Sequence, residues 1–125
     1  KIINGEIPSY KVAENEKFLA FLDVFPLAKG HTLVVPKKEV DYIFDLEDEL
    51  LGELHVFSKK VARAIEKSVP CLRIGVAVVG LEVPHAHIHL IPINHISDIS
   101  FSKPKLQLSK EEFSEIAEKI RDNFS

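Results

Sequence analysis

The segment Pro84-His85-Ala86-His87-Ile88-His89-Leu90-Ile91-Pro92 constrains this chain more than any other. Successive side chains of a β-strand point to opposite faces. As a strand, the segment presents His85, His87 and His89 on one side and Pro84, Ala86, Ile88 and Leu90 on the other. A helix would spread the histidines over two sides and would be bounded by proline at both ends. The expectation is therefore a strand over Val83–Pro92, with an apolar back and an imidazole front. The apolar back needs a layer to bury against, so the chain must supply a sheet and at least one helix.

The rest of the sequence supplies both. Tyr10–Ala13, Phe18–Val24 and Gly30–Pro36 read as strands, with a turn at Asn15-Glu16 between the first two. Asp45 is the expected N-cap of a long helix, because Glu47, Asp48 and Glu49 crowd the first turn where the helix dipole favours acids. Leu50, Leu54, Phe57, Val61 and Ile65 form its apolar stripe, and Pro70 ends it. Arg73–Val79 is an apolar run of strand length. Ser109 and Glu112 make a capping box for a second helix over 109–124, striped by Phe113, Ile116, Ala117, Ile120 and Phe124. The spacing predicts an α+β fold: about five antiparallel strands, one long helix and an added C-terminal helix. A single domain spans 1–125, with a core over 1–93 and an extension over 94–125.

Composition narrows the function. The longest apolar runs, Gly75–Gly80 and Ala86–Pro92, fall far short of the ~20 residues of a membrane-spanning helix. The one cysteine, Cys71, rules out an internal disulfide framework and a cysteine-based zinc site. Sixteen basic residues against 19 acidic ones give a formal charge of −3, with no basic footprint for nucleic acid. The opening Lys1-Ile2-Ile3-Asn4 turns polar at once and does not read as a leader. The reduced cytoplasm is the expected compartment, and with no opening methionine, further residues are expected before Lys1.

Three imidazoles on one face need hydrogen-bond partners, which packing alone does not call for. Two chemistries fit. One is a metal site, because His-x-His on a strand can hold one zinc ion. However, residues 85 and 89 lie about 13 Å apart along a strand at ~3.3 Å per residue, so a further ligand such as His31 or Glu82 would be needed. The other is a nucleophilic histidine whose neighbours fix its tautomer and protonate a leaving group.

The run His85-Ala86-His87-Ile88-His89-Leu90-Ile91 resembles the histidine-triad signature, His-φ-His-φ-His-φ-φ with φ apolar. The opening Lys1–Pro8, Ala20-Phe21-Leu22-Asp23, Gly30–Lys37 and Leu50-Leu51-Gly52 sit in the order and spacing of that family. The chain is similar to the Hint-like branch of the histidine-triad (HIT) nucleotide hydrolases from Lys1 to Pro92. The resemblance implies cleavage at the α-phosphate of purine nucleoside phosphoramidates or adenylates through a nucleotidyl-histidine. A dinucleoside polyphosphate hydrolase and a nucleotide-binding module with weak catalysis are the alternatives. It implies His87 as nucleophile, flanked by His89 and His85, with His31 as a fourth histidine. Asp23 would bind the ribose hydroxyls, Phe21, Val24, Ile2 and Ile3 would line the base pocket, and Glu82 and Val83 would border the nucleotide. No metal or other cofactor is expected, and the expected assembly is a homodimer with a continuous sheet.

Two departures from the family stand out. Its usual asparagine and glutamine ahead of the triad are replaced by Ala77 and Leu81, which removes a phosphate or ribose contact that Glu82 could replace. The tail from Asn94 onward is added. Its helix is expected either on its own core or across a dimer, where it would shape the pocket. His55 and His95 are expected to play no part, and Cys71 has no basic environment to activate it.

Overall fold

The computed structural model describes residues 10–81 and 83–124. Ile2, Ile3 and Glu82, three of the expected nucleotide contacts, lie outside the described residues.

Five strands form one antiparallel sheet: β1 (Lys11–Glu14), β2 (Phe18–Leu22), β3 (Thr32–Pro36), β4 (Arg73–Ala77) and β5 (Ile88–Ile93), in the spatial order β1-β2-β3-β5-β4. The β1–β2 hairpin turns on Asn15, whose Oδ1 accepts the backbone N–H groups of Lys17 and Phe18, both at 2.8 Å. That is the local turn chemistry asparagine supplies. Helices α1 (Asp48–Ser68) and α2 (Lys110–Asn123) cover one face of the sheet. Leu54, Phe57, Val61 and Ile65 of α1 and Phe113, Ala117 and Ile120 of α2 share a core with Phe18, Ala20, Leu22, Val34, Ile88 and Leu90. The opposite face carries a smaller cluster of Leu19, Phe21 and Val35, with Leu33 packed on it.

The α+β class, the antiparallel sheet and the two helices agree with the sequence. Several boundaries do not. The last strand begins at Ile88, not Val83. Ala86 N–H bonds to Val40 O at 2.7 Å and His85 N–H to Val83 O at 2.8 Å, so the backbone before Ile88 is satisfied outside the ladder. Facing still alternates there, with Ala86 and Ile88 buried and His87 half-buried. Asp45 is not the N-cap of the long helix. It closes a 3-10 turn over Ile43–Asp45, and α1 starts at Asp48 behind Glu47, whose side chain makes no capping bond. Buried Ile43 and Leu46 anchor that turn to the core, and tertiary anchoring outweighs cap preference. β2 stops at Leu22, β3 starts at Thr32 and β4 stops at Ala77, each shorter than expected, whereas β1 runs one residue past Ala13.

The tail helix forms as its capping box requires. Ser109 Oγ accepts Glu112 N–H at 3.1 Å, and Glu112 Oε1 accepts Ser109 N–H at 3.0 Å. Its stripe buries on the core of its own chain, with Phe113 stacked on Tyr10 at 5.0 Å and Phe124 beside Phe57 at 5.8 Å. Of the two expected placements, packing on its own core is the one observed. The loop before the helix reaches the pocket instead.

Candidate active site

His89 lies in β5, directly opposite Leu33 of β3 and Ala77 of β4. Paired residues share a face, so its ring lies on the face away from the helices. His31 reaches the same place from the turn before β3. Gly30 makes that turn with φ +90°, and a Cβ there would stand 2.9 Å from Val69 Cγ2 at the end of α1. His31 is consequently fully buried, and its Nε2 lies 3.0 Å from His89 Nδ1.

Backbone groups decide where each ring proton sits. Leu27 N–H donates to His31 Nδ1 at 3.0 Å. That nitrogen is therefore an acceptor, and the proton of a neutral His31 is on Nε2. His31 Nε2–H then donates to His89 Nδ1, which leaves the His89 proton on its own Nε2. Burial, followed by neighbouring positive charge, depresses the His31 pKa to about 3 and that of His89 to about 4. Both rings are neutral at neutral pH.

His87 is fixed the opposite way. Its Nδ1 lies 2.7 Å from the carbonyl oxygen of His85 and must donate to it. In the neutral ring this tautomer leaves the Nε2 lone pair free, which is the state a nucleophile or general base needs. Ring centroids of His87 and His89 are 4.9 Å apart. The His85 ring turns away from this pair, with Nε2 2.7 Å from Pro36 O. The three imidazoles thus do not present one common front. His85 serves through its carbonyl.

His87 and His89 open into a cavity of about 530 Å³, also lined by Asp23, Phe25, Phe101 and Lys105, with Val79, Gly80, Leu81 and Val83. Asp23 Oδ1 accepts Phe25 N–H at 2.8 Å, and Oδ2 is 3.5 Å from His31 Nε2. Burial raises the Asp23 pKa above the ordinary carboxylate value. Asp23, His31 and His89 each bring one ligand atom within 4.8 Å of the others. A metal there would have to displace the bond between the two histidines.

The structure thus joins His31, Asp23, Val83, His87 and His89, but not every expected residue. Phe21 is buried in the cross-strand row Phe21–Leu33–His89 and does not line the cavity. Val24 is exposed and Phe25 takes its place on the wall. Leu81, at the usual glutamine position, is 88% exposed. His55 bonds to Leu51 O of its own helix at 2.9 Å and borders a separate cavity on another side of His87. His95 sits in an exposed turn, and burial raises the Cys71 thiol pKa. A larger groove of about 820 Å³ beside the β1–β2 turn holds the paired Lys17 and Glu53 but no histidine.

Sequence reasoning missed Phe101 and Lys105. Phe101 stands edge-on to His89 at 4.7 Å and to His31 at 6.4 Å. Lys105 Nζ donates to Phe101 O at 2.7 Å, and Leu106 N–H to Pro26 O at 2.8 Å, which holds the loop against the turn that carries Asp23. The available signal was compositional: between the triad strand and the last helix, Phe101 is the only Phe, Tyr or Trp and Lys103 and Lys105 the only Lys or Arg.

Residues 4–96 match the model of the HIT domain family. The chain belongs to the HIT family. This HIT protein is 36% identical to an uncharacterised HIT-like protein of Borreliella burgdorferi, over 98% of this chain and 94% of that one. It is 35% identical to the adenosine 5′-monophosphoramidase of Schizosaccharomyces pombe, over 96% and 92%. Among solved structures, a HIT-like protein of Bartonella henselae superposes with a TM-score of 0.85 at 32% identity, covering 99% of this chain and 92% of that one. The sheet and the helices therefore belong to a fold shared with that structure. No helix among the described residues is long and apolar enough to cross a membrane.

Proposed function

We propose that this HIT protein hydrolyses purine nucleoside phosphoramidates or adenylates, releasing a nucleoside monophosphate through an intermediate on His87. The observation that carries this reading is the His87 Nδ1–H bond to His85 O, which leaves Nε2 free beside the cavity. The Nε2 lone pair attacks the α-phosphorus and the bond from phosphorus to the leaving group breaks. The departing nitrogen or oxygen takes a proton from solvent water, and the nucleotide stays on His87. A second water then attacks the same phosphorus, its oxygen forms the new P–O bond as the P–N bond to His87 breaks, and its proton returns to solvent, which restores the free imidazole. Dividing one displacement into two is the gain of nucleophilic catalysis.

His89 directs its Nε2–H at a phosphoryl oxygen, and His31 holds it in that tautomer. His85 orients His87. Asp23 accepts from the ribose hydroxyls, Phe25 and Val83 of the cavity wall border the nucleotide, and Ile2, Ile3 and Glu82 are assigned to it by the family resemblance alone. The relatedness to an enzyme named adenosine 5′-monophosphoramidase supports the phosphoramidate class. Two copies pair through β4, a sheet edge with Val76 exposed on it and Leu72 and Val78 exposed just beyond its ends.

Phosphoramidates and adenylates of AMP and GMP, with dinucleoside polyphosphates, form the test panel. AMP or GMP release from a phosphoramidate or adenylate is expected. Release only from dinucleoside polyphosphates would reassign the substrate class. Ala77 and Leu81, which offer no polar side chain, favour the second reading, a nucleotide-binding module with weak catalysis. AMP binding without turnover of any panel member would select it.

A further inference from the structure

Resting on the nucleotide reading above, we infer that Lys105, delivered by the loop between β5 and α2, is the cationic residue that binds the substrate's phosphate.

The argument begins with charge. A nucleoside phosphate brings at least one negative charge into the cavity, where Asp23 already supplies a carboxylate. His31 and His89 stay neutral there, as buried rings beside one another must. His89 can donate a hydrogen bond to the phosphate but cannot neutralise it, and His31 already donates its one N–H to His89. Among the described residues lining the cavity, Lys105 is the one lysine or arginine.

Its placement is built by four contacts. Phe101 packs against His89, Leu106 N–H bonds to Pro26 O, and Lys105 Nζ donates to Phe101 O at 2.7 Å and Lys103 O at 3.3 Å. Both Nζ partners are neutral carbonyls of its own loop, and an ammonium has three N–H groups. A phosphate oxygen makes the stronger, charge-assisted bond, and the four-carbon stem lets the ammonium swing to it. The need for this residue is local. Ala77 faces His89 from β4, and Leu81 lines the cavity. Neither side chain can donate a hydrogen bond, so the phosphate must find its donors elsewhere. The tail of the chain brings one.

Calorimetric titration of AMP and of adenosine into wild type, Lys105→Ala and Lys105→Arg separates charge from packing. Because Lys105 is exposed, all three are expected to melt together. Lys105→Ala should weaken AMP roughly tenfold, while adenosine binding shifts by no more than about twofold and Lys105→Arg keeps AMP binding near wild type. KM for adenosine 5′-phosphoramidate should rise in parallel, with kcat far less affected. Unchanged AMP binding in Lys105→Ala overturns the inference. So does equal weakening of AMP and adenosine, which would assign Lys105 to loop packing. Wild type that binds neither ligand would refute the nucleotide reading itself, and this inference with it. Wild-type turnover that survives in Lys105→Ala with an unchanged KM would refute this inference alone.

Discussion

At the scale of residues, the site is a matter of where four ring protons sit. Leu27 N–H, His85 O and Pro36 O each hold one ring nitrogen, and His31 passes the constraint to His89. This arrangement makes stability depend on pH. His31 and His89 have pKa values of about 3 and about 4 in the folded chain, against about 6.5 when unfolded. Between these limits the unfolded chain binds more protons, so stability rises with pH. Acidifying from about pH 6.5 to pH 4 should remove stability on the order of a few kcal/mol. Asp23, with its raised pKa, opposes this in the window just above the usual carboxylate value, where the folded chain holds the extra proton. Urea titrations at steps of pH will follow the net loss, and a His31→Phe variant should flatten it. A flat profile in the wild type would show that the two rings are not held neutral. The alternation of the histidines was legible in the sequence, because it follows from strand period alone. The proton positions were not, because they depend on carbonyls and N–H groups brought close only by folding.

At the scale of elements, the turn at Gly30 decides whether His31 reaches His89. Its backbone has φ +90°, and an added Cβ would meet Val69 Cγ2 at 2.9 Å. Gly30→Ala should therefore destabilise the protein by about 2 kcal/mol or more. Its urea midpoint should fall, and activity should fall with it as His31 shifts. A variant as stable as wild type would show that neither the turn nor the contact constrains the site. The helix stripes and the Ser109 capping box could be read from the sequence because they are local. The start of α1 could not, because Ile43 and Leu46 bury a turn that places Asp45 before the helix. The start of β5 was misread for a similar reason: Val40 O takes the Ala86 N–H that a strand would have offered to its neighbour.

At the scale of the whole molecule, both helices lie on one face of the sheet and the chemistry lies on the other. The tail folds its helix onto the helical face and threads Phe101 and Lys105 into the site. The family resemblance implied Asp23 and His31 beside His87 and His89, but no periodicity links residues 101–105 to a strand they approach only in space. The exposed β4 edge should pair with a second copy. Sedimentation at micromolar concentration should give a dimer for wild type and a monomer for Val76→Lys, and a wild-type monomer would contradict the pairing. The central claim is that His87 forms the bond to phosphorus. It is tested most directly by AMP release from adenosine 5′-phosphoramidate in His87→Ala, with folding checked by an unchanged melting profile. The account predicts a fall in kcat of at least about a thousandfold; turnover close to wild type would contradict it.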